Sequence, residues 1–188
     1  YKWNDYLLEK KYAAELINEG CVIISQHSDT AGPAIACEET AAGTPVYLIS
    51  YNQSMADIAP TTYITGCKIN WKPYVTGAVG AVLEGRNIEK TVRGKVNGND
   101  IGAGFDEDWV EMLKLNEVIA ADGTKEKLDE VIEKLKRGEL YVFKGDYLGV
   151  NVDDPEDIYD LSQGYEENRD RSAPSFNYIL KDVITIEE

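Results

Sequence analysis

Residues 26–30 read Gln26-His27-Ser28-Asp29-Thr30, which sets an amide, an imidazole, two hydroxyls and a carboxylate in a row and includes the chain's one histidine. A His-Ser-Asp run invites comparison with a base, a nucleophile and an orienting acid. Consecutive residues on an extended segment point alternately to opposite sides, so these three cannot form such a hydrogen-bonded chain by themselves. The chemistry that fits better is hydrogen bonding to a small polar ligand, with Gln26, His27, Ser28 and Asp29 lining its site. The competing role for Asp29 is to cap the helix that follows. A second polar stretch, Tyr51-Asn52-Gln53-Ser54, offers the same kind of groups.

The elements that must hold these loops are legible around them. Residues 21–25 form a short apolar run rich in β-branched side chains and bounded by Gly20, the pattern of a buried parallel strand. Gly32-Pro33 opens a helix, since proline is tolerated where the amide it lacks would be unpaired anyway, and Gly43 closes it. Residues 46–49 make a second strand, so the unit is βαβ. In open α/β sheets, ligands sit beyond the carboxyl ends of the strands. Both polar loops are therefore expected to leave one edge of the sheet side by side.

Before this unit, residues 5–19 place Leu8, Tyr12, Ala13, Leu16 and Ile17 on one helical face, stopped by Gly20. After it, residues 61–66 are expected as a third strand and Asn70 as the cap of another helix. There Val75, Ala78, Val79 and Val82 recur at core-facing spacing, and Gly77 and Gly80 imply close packing against another backbone. From Gly85 the chain becomes charged and glycine-rich. The expected elements beyond are strands at 109–115, 140–143 and 183–186 and a helix at 124–137, carried by Leu128, Val131, Ile132 and Leu135 and stopped by Gly138. Residues 151–171 read as acidic and irregular, without a core of their own. These elements are too few for an independent α/β domain, so the second half needs something else to pack against.

With 34 acidic against 19 basic residues in 188 and a formal charge of −15, the chain is a poor partner for nucleic acid or an anionic membrane. No apolar run approaches the roughly 20 residues of a membrane-spanning helix. The chain starts at Tyr1, within a few residues of an expected helix, so an upstream segment is expected. Cys21, Cys37 and Cys67 lack a CxxC pattern, and Cys21 and Cys37 read as buried free thiols on a strand and a helix. The carboxylates at 153, 154, 156 and 157 lack EF-hand spacing and read as solvated surface. No metal or cofactor is expected, and neither a nucleophile elbow nor a phosphate loop is present.

At CVIISQHSDT, SYNQSMADIAP, TYITG, NWKPYVTGAVGAVLEG and the closing SAPSFNYILKDVITIEE, the chain resembles the basic membrane protein family of ABC-transporter substrate-binding lipoproteins, whose characterised members bind purine bases or purine nucleosides. The resemblance implies an α/β fold of the periplasmic-binding-protein type I class, two-lobed with parallel-sheet three-layer α/β/α lobes, closing on ligand in the cleft between them. It covers only the C-terminal part of such a protein: residues 1–84 resemble most of the C-terminal lobe, 85–145 the return into the N-terminal lobe, and 146–188 an acidic crossover and closing strand.

By position, Trp3 resembles an aromatic that stacks on the base, and residues 26–29 the loop at the mouth of the central strand. Asn52 stands where nucleoside-binding members carry an aspartate for the ribose, and Ile69 where they carry a lysine; Trp71 offers another aromatic surface. Free base and nucleoside are then comparable as ligands. The partners implied are a purine, an ABC permease, and the N-terminal portion of the same protein, with membrane attachment only through an N-terminal lipid anchor outside this chain and an extracytoplasmic, cell-surface or periplasmic location. The rival expectations are a small-molecule-sensing regulatory domain of the same fold, and a nucleoside or sugar hydrolase using His27 and Asp29.

Overall fold

The computed structural model describes residues 4–43, 45–92, 95–97, 100–165 and 176–183. Its first half is the expected alternation. Helix α1 (Tyr6–Asn18) starts at Asp5, whose carboxylate accepts from the Leu8 amide at 3.2 Å, and ends before Gly20, whose φ of +98° only glycine adopts readily. Strand β1 (Ile23–Ser25), helix α2 (Gly32–Thr40) with Pro33 in its first turn, and strand β2 (Tyr47–Tyr51) complete the βαβ unit. Strand β3 (Tyr63–Ile69) and helix α3 (Lys72–Leu83) follow, then the short helix α4 (Ile88–Thr91) and the hairpin β4 (Lys95–Asn97) with β5 (Asp100–Gly102).

The main sheet has the order β1-β2-β3-β6, where β6 (Val110–Met112) returns from the second half of the chain. β1, β2 and β3 are parallel and β6 runs antiparallel to β3. Helix α5 (Thr124–Lys136) fits the spacing that anticipates it, and strands β7 (Leu148–Asn151), β8 (Ile158–Asp160) and β9 (Tyr178–Leu180) form a separate antiparallel sheet ordered β8-β7-β9. Among the described residues no helix is long and apolar enough to cross a membrane.

The core lies between α1, α2 and one face of the main sheet, with Ala13, Ile17, Ala34 and Cys37 from the helices against Ile24, Leu48 and Tyr63 from the strands. The two helices touch closely at Gly32, where an added Cβ would lie 2.7 Å from the Tyr6 carbonyl and 2.8 Å from the Lys10 amide. Among the described residues β1 is buried on this face alone, which corrects the expectation of a buried strand. Ile24 is 5% exposed but Ile23 is 54% exposed, alternating as in a sheet with one solvated face.

Other expectations change for the same reason. Val75, Val79 and Val82 repeat at core spacing, yet they are 50%, 53% and 64% exposed; α3 buries Ala81 instead. A Cβ added at Gly77 would meet Val92 at ordinary contact distance, whereas one at Gly80 would meet open space. Cys21 is exposed, while Cys37 is buried, and burial pushes its thiol up to about 11. The third strand runs to Ile69 rather than Gly66 because β6 pairs along its end.

Residues 140–143 form no strand; the chain turns there and pairs from Leu148 onward. The acidic stretch carries β8, which pairs with β7 just before it, and buries Leu161, so the segment at Ile158 forms a strand despite the charge around it. The closing strand is Tyr178–Leu180, Val183 lies in the turn after it, and residues 184–186 fall outside the described residues.

Candidate ligand-binding site

Because β1, β2 and β3 are parallel neighbours, their carboxyl ends line one edge of the sheet. Ser25 pairs with Ile49 and Tyr51 with Cys67, so the loops that begin at Gln26, Asn52 and Asn70 leave that edge side by side. β6 runs the other way and therefore begins there, pairing Val110 with Ile69. Asn70 ties the two segments: its backbone amide donates to the Trp109 carbonyl at 2.7 Å and its Nδ2 to the Asp108 carbonyl at 2.8 Å.

In the first loop, Gln26 acts from inside. It is 5% exposed, its backbone amide extends the ladder to the Ile49 carbonyl, and Nε2 donates to the carbonyls of Ser28 at 2.9 Å and Thr30 at 2.5 Å. Its Oε1 is buried without a hydrogen-bond partner among the described residues. Gln26 thus shapes the loop, while His27 and Asp29 are exposed beyond it and Ser28 is half-buried. The His27 ring stacks on Tyr51 from the neighbouring strand, centroids 4.2 Å apart and planes 27° from parallel.

Asp29 does not cap α2. The cap position is Ala31 without a side-chain bond, and Thr30 does the work: its Oγ1 accepts from the Gly32 amide at 3.1 Å and donates to Glu9 Oε2 at 2.5 Å. Glu9 Oε2 also accepts from the Thr30 amide at 3.1 Å, and Oε1 accepts from the Asp5 amide at 3.0 Å. Partial burial works to raise the Glu9 pKa, but hydrogen bonds from Thr30, Asp5 and Ser28 outweigh it and hold the carboxyl below its ordinary value. Nothing in the local sequence marks Glu9 except its place in the first turn of α1, which is why spacing alone misses it.

The second loop opens on Asn52 in the left-handed region at φ +62°, a conformation asparagine tolerates better than most residues. Its amide donates to the Cys67 carbonyl at 2.8 Å and its Oδ1 accepts from the Ile69 amide at 3.3 Å. In the third loop Trp71 is 62% exposed beside the start of α3. The Asn70 side chain turns the chain into that helix by accepting from the Lys72 amide at 3.2 Å. Trp109 also lies at this edge, edge-to-face on Tyr74 at 5.7 Å, with Nε1 buried and unpartnered among the described residues. A groove of about 790 Å³ borders this third loop, between Asn70, Lys72, Asp108 and Trp109.

The structure therefore gathers Gln26, His27, Ser28, Asp29, Asn52 and Trp71 along one edge, whereas Trp3 falls outside the described residues. Trp109 and Glu9 join that edge without having been singled out, and Tyr51 contributes its ring. Among the described residues no cluster of histidine, cysteine and carboxylates could hold a metal ion. The edge offers flat aromatic faces interleaved with amide, hydroxyl and carboxylate groups, which suits noncovalent recognition of a flat polar ligand.

Comparison with known proteins points the same way. A family described as ABC transporter substrate-binding protein PnrA-like, Bmp, matches residues 1–141. Over 143 residues the chain is 28% identical to a purine-binding protein of Brucella abortus (strain 2308), covering 76% of this chain and 37% of that protein. Among solved structures, an ABC transporter solute-binding protein from Conexibacter woesei superposes with a TM-score of 0.52 at 19% identity, covering 75% of this chain and 43% of that one. A transcriptional activator of the comK gene from Bacillus halodurans gives 0.55 at 16% identity, covering 75% and 46%. The chain spans less than half the length of each of these relatives, and the structural likenesses establish the periplasmic-binding-protein fold. By the match over residues 1–141, the chain belongs to the PnrA-like ABC transporter substrate-binding family.

Proposed function

We propose that this chain forms much of one lobe of a solute receptor for an ABC importer and presents a purine to the cleft from the carboxyl edge of its parallel sheet. The observation that carries the reading is the His27–Tyr51 stack standing on the same edge as Asn52 and Trp71. Stacking on an aromatic side chain contributes about 1–3 kcal/mol per base and needs no charge. Family membership and the Brucella relative named as purine-binding support the ligand class. Residues 1–84 serve as the bulk of the C-terminal lobe, 85–145 as the return toward the N-terminal lobe, and 146–188 as the crossover and closing strand. The remainder of a relative-length polypeptide supplies the opposite wall, and Trp3 the further aromatic contact.

The positions that distinguish nucleoside-binding relatives, 52 and 69, carry Asn52 and Ile69 here and are joined by the 3.3 Å hydrogen bond between them. With neither a carboxylate nor an ammonium at that spot to hold a ribose, a free base of adenine or hypoxanthine type stands on a par with a nucleoside as the ligand. No bond is made or broken; binding shifts an open–closed equilibrium, and the closed form docks on a permease outside the cytoplasm, with a lipid anchor upstream of this chain.

Thermal unfolding against adenine, hypoxanthine, guanine and their nucleosides tests this, because a ligand at 100 times its Kd adds about 2.7 kcal/mol to stability. The reading expects bases to raise the Tm at least as far as nucleosides. Hydrolysis of a nucleoside to base and sugar, or indifference to every purine, contradicts it.

A further inference from the structure

We propose that Glu9 is a positioning residue for ligand binding, a bracket that fixes residues 28–30 at the site without touching ligand; this rests on the purine-receptor reading. One carboxylate serves two helix N-termini. Oε1 takes the Asp5 amide at the start of α1, and Oε2 takes both the amide and the hydroxyl of Thr30. The same Thr30 hydroxyl accepts from the Gly32 amide, so the first turn of α2 is satisfied through a relay ending on Glu9.

From the other side, Gln26 Nε2 holds the Ser28 and Thr30 carbonyls. Thr30 is thereby fixed at its amide, hydroxyl and carbonyl, and Ser28 at its carbonyl. His27 and Asp29 alternate with these pinned residues and are the exposed ones. Sequence and geometry thus divide the loop into residues that are held and residues that are displayed. The close approach of α1 and α2 at Gly32 keeps the carboxylate within reach, since no side chain separates the helices there.

Loss of the bracket lowers the fraction of molecules whose loop is ready to bind, and apparent affinity falls by that fraction. The test compares wild type with Glu9→Ala, Glu9→Gln, Thr30→Val and Thr30→Ser, reading amide exchange at Thr30, Gly32 and Leu48 and the Kd for adenine. Leu48 bonds to the Thr62 carbonyl in the core and reports global opening. Removing the carboxylate should speed exchange at Thr30 and Gly32 by roughly tenfold relative to Leu48 and weaken adenine by about fivefold or more, in the range cap removal gives elsewhere. Thr30→Val should follow Glu9→Ala, the double variant should be no worse than either single one, and Thr30→Ser, which keeps the hydroxyl, should match wild type.

An unchanged adenine Kd beside faster exchange at Thr30 makes Glu9 a structural cap only and overturns the proposal, as does unchanged exchange at Thr30. Should Glu9→Ala fail to fold, Glu9→Gln and Thr30→Val carry the same comparison. If wild type binds no purine, the receptor reading fails and the ligand-positioning role with it; faster exchange at Thr30 then leaves Glu9 a structural cap only, and unchanged exchange there removes the bracket as well.

Discussion

The His27 ring lies on the Tyr51 ring at 4.2 Å, joining the loop after β1 to the last residue of β2. A parallel pairing in which Ser25 opposes Ile49 puts these two residues within reach, and the pair gives the edge an aromatic surface that neither provides alone. A base stacked on an aromatic side chain gains about 1–3 kcal/mol by alanine substitution, so Tyr51→Ala should weaken adenine binding by roughly five- to 150-fold. Titration calorimetry checks this, with the Tm of the unliganded chain moving little because Tyr51 is only half-buried.

Gly32→Ala should be among the most damaging single changes. The new methyl would meet backbone of α1 at 2.7 and 2.8 Å, and backbone cannot step aside as a flexible side chain does. A loss of about 1–3 kcal/mol or more is expected from such overpacking, readable as a lower urea midpoint.

Glu9 supplies a pH dependence with a defined sign. Its carboxyl is held below the ordinary value of 4.5, so its contribution to stability is fully present above pH 4.5 and is lost as pH falls through the lower folded-state value. Wild type should exceed Glu9→Gln in urea midpoint at pH 7, and the gap should narrow below pH 4.5. A gap independent of pH contradicts the assignment.

The valine stripe of α3 yields the opposite expectation from its sequence pattern. Val75, Val79 and Val82 are at least half exposed, so changing each to serine should cost less than about 0.5 kcal/mol. Leu48, fully buried, should cost about 2–5 kcal/mol when cut to alanine. Denaturant titration of the four variants separates the two cases.

The contrast between α3 and α2 explains what the sequence made legible. Local signals were sufficient where local physics decides: Gly20, Pro33 and Gly138 mark helix ends, and the β-branched runs around Ile24 and Leu48 mark strands. The edge of the sheet followed from the βαβ order, so the loops at Gln26 and Asn52 could be placed together in advance. Periodicity, however, says that Val75 and Val79 share a face and not that anything covers it. Trp109 reached the edge only because β6 returns antiparallel to β3, a pairing between distant segments that spacing does not encode. Glu9 was missed because its partner, Thr30, lies 21 residues away and its role depends on the contact of α1 with α2 at Gly32.

The measurement that bears most directly on the account is an amide chemical-shift titration of the chain with adenine. It should perturb the loops at 26–30, 51–53 and 70–71 together, with the β8-β7-β9 sheet unmoved. Shifts confined to that second sheet, or none at millimolar adenine, would contradict a purine site on the carboxyl edge of the parallel strands.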